Sequence, residues 1–318
     1  DNTSAVTAAT YGFCVPRAGA RATACANDVV CNAASKGRCL SDGFCEDADF
    51  SRDPATGAPA VQNPTTGAYS TISGWNIINT TNLFATRDNF RQQVIDLAQF
   101  ARVIAATGTG SLNATLTGAP NSAPASLDAT KLNYAGISLG GILGTLYVAA
   151  APEIHRAVLN VAGGDPTNIL LTSPAFAAQR AGFLATLAGQ GINVGTPAFD
   201  QFVYFAHTIL DPADPQNAGY DLENAANVPS DRETLIQYIS GDAVVPNTST
   251  ATLIAAATRA EAAKRSSVYQ FNFTTTEVPV PSRHGFLLNF VNPTNLNPSP
   301  TLQAQTQLVT FLKTGVQP

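Results

Sequence analysis

The clearest periodicity lies in residues 87–106, where Phe90, Val94, Leu97, Ala101 and Ile104 recur at steps of three and four. That spacing predicts a helix with one apolar face. Thr86 or Asp88 can cap its start, and Gly108 ends it. Residues 107–130 are polar and carry Gly and Pro, which reads as a connection. Lys131 to Ala135 is a short strand, followed by the turn Gly136-Ile-Ser138-Leu-Gly140. An apolar helix follows from Ser138 to about Ala150 and stops before Pro152. Ala157 to Val161 is the next buried strand. From residue 165 the alternation lapses, with apolar helical patches at Phe176–Leu187 and Phe199–Leu210 among many Pro and Gly. It resumes with a strand at Thr234–Ile239, an Ala-rich helix at Ser249–Lys264, a strand at Ser267–Phe273 and a closing helix at Leu302–Leu312. Strands alternating with helices predict an α/β fold, a mostly parallel sheet flanked by crossover helices. The interruption predicts a helical cap over the sheet's C-terminal edge. The expected organisation is an irregular segment at 1–75, a core at 76–164 and 233–318, and a cap at 165–232.

Composition changes this picture mainly at the N-terminal end. All five cysteines, Cys14, Cys25, Cys31, Cys39 and Cys45, crowd into one Gly-rich stretch without helical or strand periodicity. Such crowding reads as a disulfide-rich insertion formed in an oxidising compartment. Zinc is the rival reading, but the spacings are not paired Cys-x-x-Cys units and no His lies in the stretch. The odd count leaves one cysteine free or paired with polypeptide outside this chain. Asp42, Glu46, Asp47, Asp49 and Asp53 form an acidic cluster; a solvated loop is expected there, with calcium as the alternative, and the EF-hand pattern is not followed. The chain has no Met in 318 residues, so it is not expected to begin at a translation start.

Charged residues make up only 12% of the chain, and the net charge is −5. With 17 scattered Lys and Arg, no nucleic-acid partner is expected. No apolar run approaches the ~20 residues of a membrane span. Together with the cysteines, these features predict a secreted protein, extracellular or held in the cell envelope.

The candidate chemistry centres on Gly136-x-Ser138-x-Gly140. A serine on a tight strand-to-helix turn, with small residues two before and two after, is positioned to act as a nucleophile. The turn also aims the N–H of Leu139 at a developing oxyanion, an interaction worth roughly 3 kcal/mol in a transition state. A helix N-cap serine is the bland alternative. An acid and then a base should follow in the chain. Asp242 lies just past the strand Thr234–Ile239 and fits the acid; Asp165, after the preceding strand, is the reserve and otherwise a helix N-cap. Of three histidines, His284 lies between the last strand and the closing helix, where a loop can carry it over Ser138. His155 reads as a surface residue in a polar turn, and His207 as a packing residue of the cap. No metal and no cofactor are expected.

With these residues in place, the chain resembles bacterial extracellular lipases and carboxylesterases of the α/β-hydrolase family. The likeness to a group of large secreted lipases, and to some polyester-degrading esterases, extends to Ser73-Gly-Trp-Asn-Ile-Ile-Asn79, Thr86-Arg-Asp-Asn-Phe-Arg-Gln92, Asp211-Pro-Ala-Asp-Pro215 and Gly241-Asp-Ala-Val-Val-Pro-Asn247. It covers roughly residues 70–318. The resemblance implies an α/β-hydrolase fold and a serine ester hydrolase. Phe176, Phe183, Phe202 and Phe205 of the apolar cap patches are candidates for an acyl-binding surface, with ordinary core packing as the alternative. The substrate would be a hydrophobic ester or a polyester. A secreted serine peptidase or amidase, and a non-catalytic binding module, are the alternatives. In one respect the sequence departs from the family. There an early strand ends in a His-Gly loop that supplies the second oxyanion donor, and residues 1–86 show no such strand and loop. Either a second polypeptide piece completes the sheet and the oxyanion hole, or the loop has diverged within residues 1–75.

Overall fold

The computed structural model describes residues 77–78, 82–117, 127–259, 266–288 and 300–316. The five cysteines, the acidic cluster and the 1–75 segment lie outside the described residues.

Helix α1 (Leu83–Ala105) and the short α2 (Leu112–Thr117) precede the sheet. The sheet then builds as β1 (Leu132–Ile137), α3 (Leu139–Ala150) and β2 (Ile154–Asn160). Five helices follow: α4 (Pro166–Thr172), α5 (Ala177–Ala188), α6 (Pro197–Leu210), α7 (Pro215–Ala218) and α8 (Asp221–Asn224). Strand β3 (Glu233–Ile239), α9 (Asn247–Ala257), β4 (Ser266–Phe271) and α10 (Pro300–Thr314) complete the described chain. The four strands are ordered β1-β2-β3-β4, and every neighbouring pair is parallel. All four therefore end at one edge, which is where side chains on their following loops can meet.

β2 begins three residues earlier than its apolar run. Its first residues are held by polar cross-strand contacts: the Arg156 guanidinium donates to Glu233 on β3 at 2.8 Å, and the Arg156 N–H donates to the Asn133 side chain at 3.1 Å. His155 thus sits in a strand, not in a turn, and bonds Asp231 at 3.0 Å near the surface. Past the polar start, Ala157, Val158 and Leu159 are fully buried, as a strand covered on both faces requires.

The main core joins Tyr147, Val148 and Ile154 to Leu159, Leu222, Ile236 and Leu253, with Val94 and Leu97 of α1 packed against it. A second cluster lies under the strand ends: Val161, Ile239, Phe271, Val278, Phe286, Leu287 and Ala304. Between strands and α10 runs a buried polar rung, in which Asn160 donates to Gln237 at 3.2 Å and Gln237 donates to Gln307 at 2.7 Å. Arg232 is fully buried. Its guanidinium donates to the carbonyls of Ile154, Val148, Leu222 and Ala151. Val148 and the C-cap Ala151 lie at the end of α3, where the helix dipole favours a cation. No described helix is long and apolar enough to cross a membrane.

Candidate active site

β1 runs without a break into Ser138, which stands between it and α3 with φ 55 and ψ −122. Non-glycine residues rarely adopt positive φ, and holding one there costs about 1–3 kcal/mol. Three backbone bonds hold it: the Ser138 N–H donates to Asn160 of β2 at 2.9 Å, and the Ser138 carbonyl accepts from Gly141 and Ile142 at 2.8 and 2.9 Å. The bend also needs room. A Cβ on Gly136 would lie 2.5 Å from the Gly140 carbonyl carbon and closer still to its oxygen. One on Gly144 would sit 2.7 Å from Tyr134 Cζ. Tyr134 uses that space to donate its hydroxyl to the Gly140 carbonyl at 2.6 Å, which braces the turn. Burial raises the pKa of this phenol and keeps it a donor.

The structure brings Ser138, Asp242 and His284 together. His284 Nε2 lies 2.6 Å from Ser138 Oγ. Its Nδ1 lies 2.8 and 3.0 Å from the two Asp242 oxygens. An ionised carboxylate can only accept, so Nδ1 carries the proton and Nε2 is left to accept from the serine hydroxyl. That tautomer is the one a general base needs. The Asp242 side chain is 2% exposed, and its Oδ1 also accepts the N–H groups of Val244 and Val245 at 2.8 and 3.1 Å. The carboxylate is thus fixed by its own turn before the histidine reaches it. Asn247, the first residue of α9, clasps the turn from below. Its amide donates to Ile239 at 2.9 Å, and its oxygen accepts from the Gly241 N–H at 2.8 Å.

His284 follows the 3-10 turn Val280–Ser282. Two residues on, Phe286 is 1% exposed and packs on Phe271 with ring centroids 5.1 Å apart, so the base loop is anchored in the second core cluster. Leu139 opens α3, and its N–H has no carbonyl a turn back to bond within the helix. Among the described residues no group of three or more metal-ligating side chains is assembled.

No known protein-family profile matches the chain, and no curated protein matches it significantly. Solved structures with similar chain paths include acetyl xylan esterase 1 from Thermoanaerobacterium sp. JW/SL YS485, at 15% identity and TM-score 0.41 over 67% of this chain and 55% of that one. Acetyl xylan esterase from Paenibacillus sp. R4 gives 13% identity and TM-score 0.42 over 74% and 62%. The acylaminoacyl peptidase of Pyrococcus horikoshii gives 14% and 0.36 over 60% and 25%. The chain thus spans less than two thirds of each of these proteins. At such scores the overlaps are partial, and the functional reading rests on the geometry at Ser138.

The remaining candidates sit elsewhere. Asp165 is the N-cap of α4, accepting from the Asn168 N–H at 2.9 Å, with φ 55. His207 is not a packing residue: it is partly exposed, and its Nδ1 lies 3.5 Å from Asp165. Phe183 and Phe202 pack on each other with ring centroids 5.8 Å apart. Phe176 is half-buried, and Phe205 is 52% exposed beside Tyr204. The cap side is fastened to the acid turn through Ala243, whose carbonyl accepts from the Ser173 hydroxyl at 3.1 Å and the Ala175 N–H at 2.9 Å. Tyr134, Asn247 and Ser173 were not singled out by the sequence pattern. Asn247 does close the motif beginning at Gly241, and its place just past a strand-end turn is the signal that marks it.

Proposed function

We propose that the chain is a serine ester hydrolase of the α/β-hydrolase type, acting outside the cell on a hydrophobic carboxylic ester or polyester. The supporting observation is His284 held between Asp242 and the Oγ of a serine with positive φ. In the proposed cycle Ser138 Oγ attacks the ester carbonyl as its proton passes to His284 Nε2. The Leu139 N–H donates to the tetrahedral oxyanion, together with a second donor. His284 then protonates the leaving alcohol, and Asp242 stabilises the imidazolium meanwhile. Water, deprotonated by His284, releases the acid and restores Ser138. The exposed aromatics of α6, Tyr204 and Phe205, favour an apolar acyl or polymer chain as the substrate. The sparse charge and clustered cysteines support the extracellular setting.

The test is reaction with a fluorophosphonate followed by peptide mapping, beside initial rates on a p-nitrophenyl ester and the matching anilide. A single adduct on Ser138 with ester turnover far above anilide turnover is the expected result. Anilide turnover that matches the ester would make the protein an amidase. A folded protein with neither adduct nor turnover would leave only the binding-module reading.

A further inference from the structure

Resting on that reading, the structure assigns Arg283 as a positioning residue that couples the acid turn to the base loop. Arg283 immediately precedes His284, but its side chain points away from the triad, into the seam between the ends of β3 and β4. Each of its guanidinium nitrogens donates to a different carbonyl: Nη1 to Ser240 at 2.7 Å, Nη2 to Phe273 at 3.2 Å and Nε to Val278 at 3.3 Å. Ser240 lies two residues before Asp242. Phe273 lies two residues beyond β4. Val278 lies in the loop that leads to the histidine. One planar cation therefore ties together the three backbone segments that set the separation of Asp242 and His284. A guanidinium presents its donors in a fixed fork, which a flexible ammonium cannot reproduce.

Gly241 completes the arrangement. It has φ +72, and a Cβ there would lie 2.5 Å from Arg283 Nη1. The acid turn thus has a glycine where the guanidinium passes. The chemistry asks for such a clamp, because Asp242 and His284 lie on separate loops 42 residues apart and must hold a 2.8 Å bond while the imidazole gains charge. Misplacement of about 1 Å in such a constellation costs about 100-fold in rate.

The experiment is a double-mutant cycle on p-nitrophenyl butyrate, with thermal melts and fluorophosphonate labelling rates alongside. Arg283→Met is expected to lower kcat about 100-fold with KM unchanged. In an Asp242→Asn background the same substitution should cost less than about 3-fold, since residues acting as a unit are not additive. Gly241→Ala, which pushes on the guanidinium from the other side, should lower kcat in the same direction and decides the matter if Arg283→Met does not fold. A folded Arg283→Met or Gly241→Ala variant with wild-type kcat overturns the assignment. So does a full additional loss in the Asp242→Asn background. An active wild type with indifferent variants refutes the clamp alone, whereas a wild type that neither labels nor turns over ester refutes the hydrolase reading with it.

Discussion

The two glycines that flank Ser138 should respond oppositely to the same substitution. At Gly136 an added methyl would lie 2.5 Å from the Gly140 carbonyl carbon, a backbone atom that cannot rotate away. Ordinary contact begins near 3.5 Å, so β1 and the start of α3 must part by about 1 Å. That movement carries Ser138 Oγ and the Leu139 N–H out of line with each other, and about 100-fold in kcat is the expected cost. Overpacking should add roughly 1–3 kcal/mol of instability. At Gly140 a methyl meets nothing within 4 Å among the described residues. The position lies in the first turn of α3, where Ala is favoured over Gly by up to about 1 kcal/mol. Gly140→Ala should therefore keep its kcat within a few-fold and melt no lower than wild type. Both variants would be assayed for ester turnover, phosphonate labelling rate and Tm. A Gly140→Ala variant as damaged as Gly136→Ala, or a Gly136→Ala variant with wild-type kcat, would refute the steric account of this turn.

Asp242→Asn should fold as wild type and lose about 10⁴ in kcat, because the amide favours the wrong imidazole tautomer; a loss under tenfold in steady-state assays would remove Asp242 from its role. Burial raises the Asp214 carboxyl from its ordinary 3.8 to about 6, against the pull of the Gln216 and Asp165 N–H groups. Between those values the folded chain keeps a proton that the unfolded chain has lost, so this group's contribution to stability declines as pH rises from about 4 to 6. Asp214→Asn should then melt like wild type at pH 4 and higher at pH 8, by the equivalent of at most about 3 kcal/mol; an equal Tm shift at both pH values would contradict this. Arg232→Met removes a buried cation from four carbonyls and should lower Tm by about 10 °C, with Ser138 labelling at 20 °C retained. A melt unchanged from wild type would show that those carbonyls find other partners.

The parts of the fold most legible in the sequence were those in which local pattern and global packing ask for the same residues. β1, the turn at Ser138 and α3 follow from one apolar strand, one glycine-flanked serine and one apolar helix. β3 and α10 were placed within two residues. What escaped notice was set by tertiary contact. The polar start of β2, His155-Arg156, has no strand signature, and it is strand because Asn133 and Glu233 meet it there. Helix α2 lies in a stretch whose pattern predicts a connection, since six residues show no full period. His207 looked like a packing residue from its apolar neighbours, but its partner Asp165 lies 42 residues away in sequence. The triad could be named because its order, Ser, Asp, His, leaves few choices in a chain with three histidines. Of the residues that hold it, Asn247 is marked by its place at the end of the motif beginning at Gly241, whereas Tyr134 and Arg283 act through backbone carbonyls, and such contacts leave no residue-type pattern to read.

The strand order has a practical consequence. Ser138 follows β1, Asp242 follows β3 and His284 follows β4, so the strand between nucleophile and acid contributes no triad member, and its loop carries the insertion α4–α8. That loop is a natural splice point for grafting. Residues 177–210 could be exchanged for a foreign segment while the triad's framework stays as it is. The graft must stop short of Asp214, Leu222 and Arg232, which brace Asp165 and the end of α3. It must also begin after Ala175, which is pinned to the acid turn.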